Sequence, residues 1–302
     1  MHRNRIAHSV VACVASVFTA WAASQPTVAA DLGQGAGAPG AAAPLSGWTV
    51  SLTPYAWATF LNGSNTVKRR TVDLDVDPIQ VISHLARVPF FGYGEMRKGP
   101  FALYTDIIYA DLALSGSGIH TRNTAALGAS LGLNFQQVIA EAGGMYEIAR
   151  WDSGGSLKDA QAGKSFTAIE ALGGFRYWNQ QLDLNFNLSG TIDTTGLALS
   201  GNRAIARSGT VDWVDPLIGL RLRHQVEPGK ELVLRGDIGG FGVGSQFSWN
   251  LLAAYNYQIA KSTSLYLGYR ALDVDYTQGQ GRTLYEFNVI QHGPVTGLTI
   301  QF

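Results

Sequence analysis

Between Phe247 and Ile259 the side chains keep a strict period of two. Phe247, Trp249, Leu251, Ala253, Tyr255, Tyr257 and Ile259 fall on one parity. Ser248, Asn250, Ala254, Asn256 and Gln258 take the other, with Leu252 the exception. Successive side chains of a strand point to opposite faces, so this stretch is a strand with one oily face along its whole length. The pattern recurs. Leu182, Leu184, Phe186 and Leu188 alternate with Asp183, Asn185 and Asn187. Leu232, Leu234 and Ile238 oppose Glu231, Arg235 and Asp237. Ile218, Leu220 and Leu222 oppose Arg221 and Arg223. Ile169, Ala171, Phe175 and Tyr177 oppose Glu170 and Arg176. These runs are roughly 10 to 15 residues long, beyond the 5 to 6 usual in soluble strands and enough to cross a bilayer on a tilt.

The separators have two lengths. Short ones fall at Lys98–Pro100, around Asn134, at Asn179–Gln180, at Glu227–Lys230 and at Lys261–Ser262. Long ones cover 62–86, 151–164, 200–209 and 277–283. Short turns at one end and long loops at the other are the signature of a closed, antiparallel transmembrane β-barrel. Counting with that parity gives an all-β barrel of about twelve strands within 48–302, or ten if 115–134 form a loop. Closure follows from the solvent, because an unpaired edge in hydrocarbon costs several kcal/mol for each polar group. In this reading every oily parity faces lipid, that of 182–188 included, and the polar parity faces the lumen. Tyr177, Trp178, Tyr255, Tyr257 and Phe302 fall near the short turns, and Trp151, Trp213, Phe247, Trp249 and Tyr276 near the long loops, as two interfacial girdles.

The N-terminus carries the matching address. MHRNR is a positive n-region, residues 6–23 are apolar, and Val28-Ala29-Ala30 offers a small-residue cleavage site, so 1–30 read as a secretory signal. Cleavage removes Arg3 and Arg5 and leaves the chain slightly acidic. It also removes Cys13, the one cysteine, and with it any disulfide or thiolate metal site. Residues 31–47 are a flexible Gly/Ala/Pro-rich tail. The whole chain has 22 Lys+Arg, 22 Asp+Glu and only 15% charged residues. Soluble chains carry about 25%. A neutral balance excludes the basic patch that a nucleic-acid partner needs.

The last strand, VTGLTIQF, places Leu298, Ile300 and Phe302 at alternate positions and ends on the aromatic ring. It resembles the C-terminal signal read by the barrel assembly machinery of Gram-negative bacteria. LTPYAWATFLNG, GDIGGFGVGSQFSWN and LGYRALDVDYTQGQG resemble stretches of a group of uncharacterised proteobacterial outer-membrane β-barrel proteins. The resemblance implies an outer-membrane location, with lipid and lipopolysaccharide as surroundings. It implies no common activity.

Candidate sites are few. Asp73, Asp75 and Asp77 begin like a calcium loop, but Pro78 stands where the required Gly should be and His84 where the Glu should be. Asp77 and Pro78 instead read as N-cap and first helical residue, with Ile79, Ile82 and Leu85 on one face of a short lid or plug. His84, His120, His224 and His292 have no serine two residues downstream. No metal cluster or cofactor motif stands out, and the chain is not expected to be an enzyme. The informative set is the charged residues of lumen parity: Glu141, Glu147, Glu170, Arg176, Arg221, Arg223, Arg235, Asp237, Arg270 and Glu286, joined by Asp273 if a bulge near Ala271 switches parity. Facing lipid, each would cost ~2 to 4 kcal/mol at the midplane. They fill the lumen by pairing, or they line a narrow pore. The sequence reading favours a monomeric, narrow channel for small polar solutes. A structural or surface-interaction barrel with a closed lumen is the alternative, and a lipid hydrolase the third possibility.

Overall fold

The computed structural model describes residues 47–67, 70–122, 125–153, 165–194 and 197–302. The expected signal peptide (1–30) and the tail up to residue 46 lie outside them. One antiparallel sheet contains twelve strands: β1 (Thr49–Trp57), β2 (Phe60–Val67), β3 (Arg70–Val76), β4 (Phe90–Lys98), β5 (Phe101–Arg122), β6 (Ala125–Ser153), β7 (Ser165–Thr194), β8 (Leu197–Glu227), β9 (Lys230–Gly239), β10 (Phe247–Ala260), β11 (Thr263–Gln278) and β12 (Tyr285–Gln301). β1 pairs with β12 as well as with β4, so ten strands, β1 and β4–β12, close the barrel. The hairpin of β2 and β3 stands outside that ring.

β2 carries on along β12 where β1 stops. Trp57 is opposite Val295, and Phe60 is opposite His292. The interruption at Ala58 and Thr59 faces Gly293 and Pro294. Pro294 has no N–H to give to a ladder, and Gly293 has φ 155°, with no room for a side chain against the Ala58 carbonyl.

Four strands are far longer than a membrane needs. β5, β6, β7 and β8 have 22, 29, 30 and 31 residues. Asn134 and Asn179–Gln180, expected as turns, lie inside β6 and β7, and 200–209, expected as a loop, lies inside β8. Polar residues in mid-strand have the composition of turns, but the ladders run straight through them, and Gln180 points into the interior, where its Oε1 accepts from the Tyr285 hydroxyl at 2.7 Å. The connection between β6 and β7 leaves from Ser153, paired with Ser165, at the same end as the turns at Gly99 and Gly229 and the chain terminus. It does not belong with the long loops. We call this the terminal end, and the other the distal end.

The outer wall is apolar around the terminal two thirds. Phe101, Phe175, Leu220, Leu234, Leu251 and Leu298 all point out and are exposed. With Asp212 and Asp183 the outward face turns polar. Along β7, Phe166, Ala168, Glu170, Leu172, Arg176, Trp178, Gln180 and Leu182 are all buried and share the even parity. Leu182 is therefore on the lumen parity, and its assignment to lipid is corrected: at that level the interior is the apolar side. The side chains of Leu184, Phe186 and Leu188 lie outside the described residues. Trp178, Trp213 and Tyr276, expected in the girdles, are also inside.

The short helix α1 (Pro78–Ser83) forms as its start signal dictates. Gln80 N donates to Asp77 Oδ1 at 2.8 Å, and Asp77 N donates to Gln80 Oε1 at 3.3 Å. This is a reciprocal capping box. The expected buried face is not the observed one. Ile79 and Ile82 are 77% and 61% exposed, whereas Val81 and Leu85 pack on the interior cluster. The helix ends at Ser83, so helical spacing does not reach Leu85, which bridges Leu112 of β5 in extended form.

Candidate functional site: the lumen

The membrane-level lumen is filled by charge. Six arginines (Arg97, Arg176, Arg221, Arg223, Arg235 and Arg270) meet six carboxylates (Glu95, Asp106, Glu141, Glu170, Glu231 and Asp237). Strand alternation puts them there, because each sits on the inward parity of its strand. They form two groups.

In the first, Arg176 of β7 donates from Nε to Glu141 at 3.0 Å and from NH2 to Asp237 at 2.6 Å. Arg235 of β9 joins the same two carboxylates, with Nε 3.1 Å from Asp237 Oδ2 and NH2 on Glu141 Oε1. Asn250 links onward: its Nδ2 donates to Asp237 at 2.9 Å, and its Oδ1 accepts from Arg270 Nε at 2.9 Å. Arg270 ends the chain on Asp106 at 2.6 Å, where Tyr55 also donates its hydroxyl at 2.8 Å. Arg235 lies over the ring of Tyr104, and Arg270 over that of Trp57.

In the second group, Arg221 of β8 donates from Nε to Glu170 at 2.5 Å and grips both oxygens of Glu95 at 2.6 and 3.2 Å. Arg97 reaches Glu170 at 2.7 Å and Glu95 at 3.0 Å. Arg223 holds Glu231 at 2.5 Å. The planar fork of arginine suits such double contacts and stays ionised when dehydrated. Arg176, Glu170, Glu141 and Asp237 are all but fully buried. Opposite charges in equal number are what such burial requires.

The sequence expected Arg221, Arg223, Arg235, Asp237, Arg270, Glu170 and Arg176 in one lumen, and the structure brings these together. Two members of that set are misplaced. Asp273 is on the outward parity of β11, because the ladder with β12 runs from Arg270↔Gly293 to Asp273↔Ile290 without a bulge. Glu286 is on the outward parity of β12, between the buried Tyr285 and Phe287. Arg270 therefore pairs with Asp106. Glu147 lies near the terminal end against Arg150 at 3.2 Å. Glu95, Arg97, Asp106 and Glu231 were missed. The alternations Tyr93-x-Glu95-x-Arg97 and Tyr104-x-Asp106 carried the signal. Leu298, Ile300 and Phe302 lie on the outward parity at the terminal end, with Leu298 and Phe302 exposed.

Terminal to the charged slab is a cavity of about 250 Å³, lined by Thr49, Ser51, Arg223, Glu231, Asn256 and Gln258 among others. Distal to the slab the interior is mainly apolar, with Gln137, Gln180 and Gln291 buried in it. Trp178 stacks on Trp213 at 5.5 Å, Trp213 on Tyr276 at 3.8 Å, and Phe135 on Phe287 at 6.2 Å. Leu182, Leu272, Val274 and Val289 complete this plug. Among the described residues it has one buried anion. Asp215 accepts from Trp178 Nε1 at 3.0 Å, from Ser245 N at 2.7 Å and from Ser245 Oγ at 2.8 Å. It thereby fastens the β9–β10 loop across the distal mouth.

No family model matches the chain, and no curated protein does. Among solved structures it is similar to Neisserial surface protein A, at 11% identity over 85% of this chain and 98% of that one, with a TM-score of 0.27. The translocator domain of the autotransporter NalP from Neisseria meningitidis gives 8% identity over 99% and 98%, with a TM-score of 0.28. An anion-selective porin from Comamonas acidovorans gives 10% over 84% and 100%, with a TM-score of 0.24.

Proposed function

We propose that this protein is an outer-membrane β-barrel with a closed lumen, which carries its four long strands outside the cell as a surface for interaction. The terminal end faces the periplasm, and the distal strands stand in the exterior. The observation that carries this reading is the double closure of the interior. A charge-balanced arginine–carboxylate slab lies at membrane level, and an aromatic plug lies above it. A pore for polar solutes needs wet, loosely held groups. Here the guanidinium groups are spent on protein carboxylates, and the layer above them is mainly apolar.

The apolar outer wall supports the location, in line with the secretory signal expected from the sequence. Distal to Asn179 and Asp212 the β7–β8 ladder continues to Thr194 and Leu197, 15 residues further along β7. That is roughly 50 Å of strand beyond the membrane. Its size fits a role in display better than one in closing a pore.

The sequence-favoured channel for small polar solutes is the second reading. The 250 Å³ polar cavity at the terminal end favours it, because such a vestibule would serve a pore if the plug moved. Single-channel recording on refolded protein in planar bilayers decides between them. The closed barrel predicts no steady conductance steps, and a stable open level in most insertions would overturn it. We do not propose an enzyme. Ser83 Oγ does lie 3.0 Å from His84 Nδ1, but that nitrogen is also 2.8 Å from the Gln80 carbonyl, to which it must donate. It therefore has no lone pair left to act as a base.

A further inference from the structure

The wall of the barrel has a seam. The β1–β4 ladder stops at Pro54↔Gly92, so Tyr55, Ala56 and Trp57 have no strand partner on that side. The chain between α1 and β4 crosses this gap instead. It is tied to β5 by Ala86 N on the Asp111 carbonyl at 2.8 Å and Ala113 N on the His84 carbonyl at 2.8 Å. Behind the seam lies a second cavity, of about 150 Å³.

Its lining is apolar almost throughout. Leu61, Phe91, Ile108, Leu112 and Phe135 form the walls, and Val81 and Leu85 form the roof under α1. Four polar side chains break that lining: Trp57, Thr59, Gln137 and Gln291. Trp57 and Gln137, exposed by only 5% and 3%, each keep a buried donor, Trp57 Nε1 and Gln137 Nε2, for which no acceptor is present. The Oε1 of Gln137 is already held by Gln291 Nε2 at 3.3 Å, which leaves the amide nitrogen as the open end. A buried donor without an acceptor costs about 1 to 3 kcal/mol. Two of them beside one apolar cavity are an arrangement that an acceptor atom would relieve. The mouth is apolar too. Ile82 lines the cavity while being 61% exposed, and Val88 and Phe90 beside it are 88% and 56% exposed.

We propose that this cavity binds a small apolar molecule bearing one hydrogen-bond acceptor, such as a carbonyl on a six-membered ring, admitted at the outer rim past α1. A cavity of about 150 Å³ with apolar walls holds a benzene-sized ring. The acceptor oxygen would accept a hydrogen bond from Trp57 Nε1, from Gln137 Nε2, or from both after a small rotation. The exposed isoleucines of α1 and the seam behind them give access without passage through the charged slab. The site is therefore independent of whether the lumen conducts.

The test is a titration of the folded barrel in lipid nanodiscs, read by the indole ¹⁵N–¹H signal of Trp57, which is assigned with Trp57→Phe. The probes are cyclohexanone and cyclohexane. Cyclohexanone should move the signal saturably and downfield, as expected for a new hydrogen bond. Cyclohexane should bind without that downfield shift. Gln137→Leu should weaken cyclohexanone by about three- to tenfold and leave cyclohexane unchanged or tighter. Ala110→Leu, which fills the cavity, should abolish saturation by both. No saturable shift in the wild-type barrel would overturn the site. So would a saturable shift that survives in the Ala110→Leu barrel, because the ligand would then be elsewhere. Equal affinity for the two probes would overturn the role of the donors. The wild-type titration stands even if a variant fails to fold.

Discussion

Arg176 NH2 and Asp237 Oδ1 lie 2.6 Å apart in the middle of the lumen, 61 residues apart in sequence and on strands that do not pair with each other. Neither side chain is exposed at all. The contact spans the intervening strand β8 on the inner face, so it tests whether the slab braces the wall from within. Removing one partner of a buried pair costs about 3 to 5 kcal/mol, because the other charge is left uncompensated. Arg176→Met should therefore unfold at clearly lower urea concentration in vesicles. In the double variant Arg176→Met/Asp237→Leu, Glu141 keeps Arg235 and part of the loss should return. A double variant no more stable than the single would mean that the two groups are not energetically coupled.

Arg235 bridges Glu141 and Asp237 and covers the ring of Tyr104. In a sealed slab its loss opens a dehydrated gap. Arg235→Ala should lower the heating temperature at which the barrel loses its compact gel mobility, and should introduce a small leak in planar bilayers. If the lumen is instead wet, the variant should keep its stability, and a conductance already present should shift towards cations.

The faces can be tested one residue at a time. Leu234 is 46% exposed on the outward parity of β9 within the apolar wall. Leu234→Arg should reduce folding yield into vesicles, with a cost of about 2 to 4 kcal/mol. Leu182 is only 3% exposed, inside the distal plug. Leu182→Arg should also destabilise the barrel, whereas Asp183→Leu should be tolerated. If Leu182→Arg folded as well as wild type, the distal interior would be polar.

Asp215 fastens the loop that contains Phe241, a non-glycine residue at φ 52° and half exposed. A single carboxylate supplies both the backbone and the hydroxyl contacts of Ser245, so Asp215→Ala should free the loop. Chymotrypsin should then cut folded barrels after Phe241 at least tenfold faster than wild type. An unchanged rate would show that the loop is held by other contacts.

Phe302 ends the outward row of Leu298 and Ile300. Its N–H donates to the Val50 carbonyl at 2.9 Å, across the closing β1–β12 seam. Deletion of Phe302 should lower the fraction of protein recovered in the outer membrane and raise the unassembled fraction in the periplasm. Recovery of full-length protein as a soluble periplasmic species would contradict the membrane location.

Much of the barrel was legible because its strand code is local. The parity of 231–238 and 247–259 assigns both faces correctly from sequence alone, since lipid and charge select opposite residue types. Arg176 and Glu170 were legible for the same reason. Asp273 and Glu286 were not, because charge alone does not fix the face and the bulge that would turn Asp273 inward is absent from the β11–β12 ladder. Both take the outward parity, Asp273 opposite Trp249 and Ile290, and Glu286 opposite Thr277. The partners of Arg270 were hidden in another way. Asp106 is 164 residues away, and no pattern within a strand says which charges on other strands will meet across a barrel. Asn134 and Asn179–Gln180 resemble turns in composition, and only the ladders show that the chain runs straight through them.

From Phe166 to Asp183 the alternation of β7 runs unbroken, yet the chemistry of the two faces changes places along it. Glu170 and Arg176 are inside where Phe175 is outside; higher up, Trp178 and Leu182 are inside where Asn179 and Asp183 are outside. The strand carries its own waterline. If the barrel sank by two residues, Asp183, Asp212 and Asp273 would approach hydrocarbon; if it rose by two, Phe101, Leu298 and Phe302 would lose it. Both displacements are opposed by the same sheet, so the depth at which the protein floats is written into it.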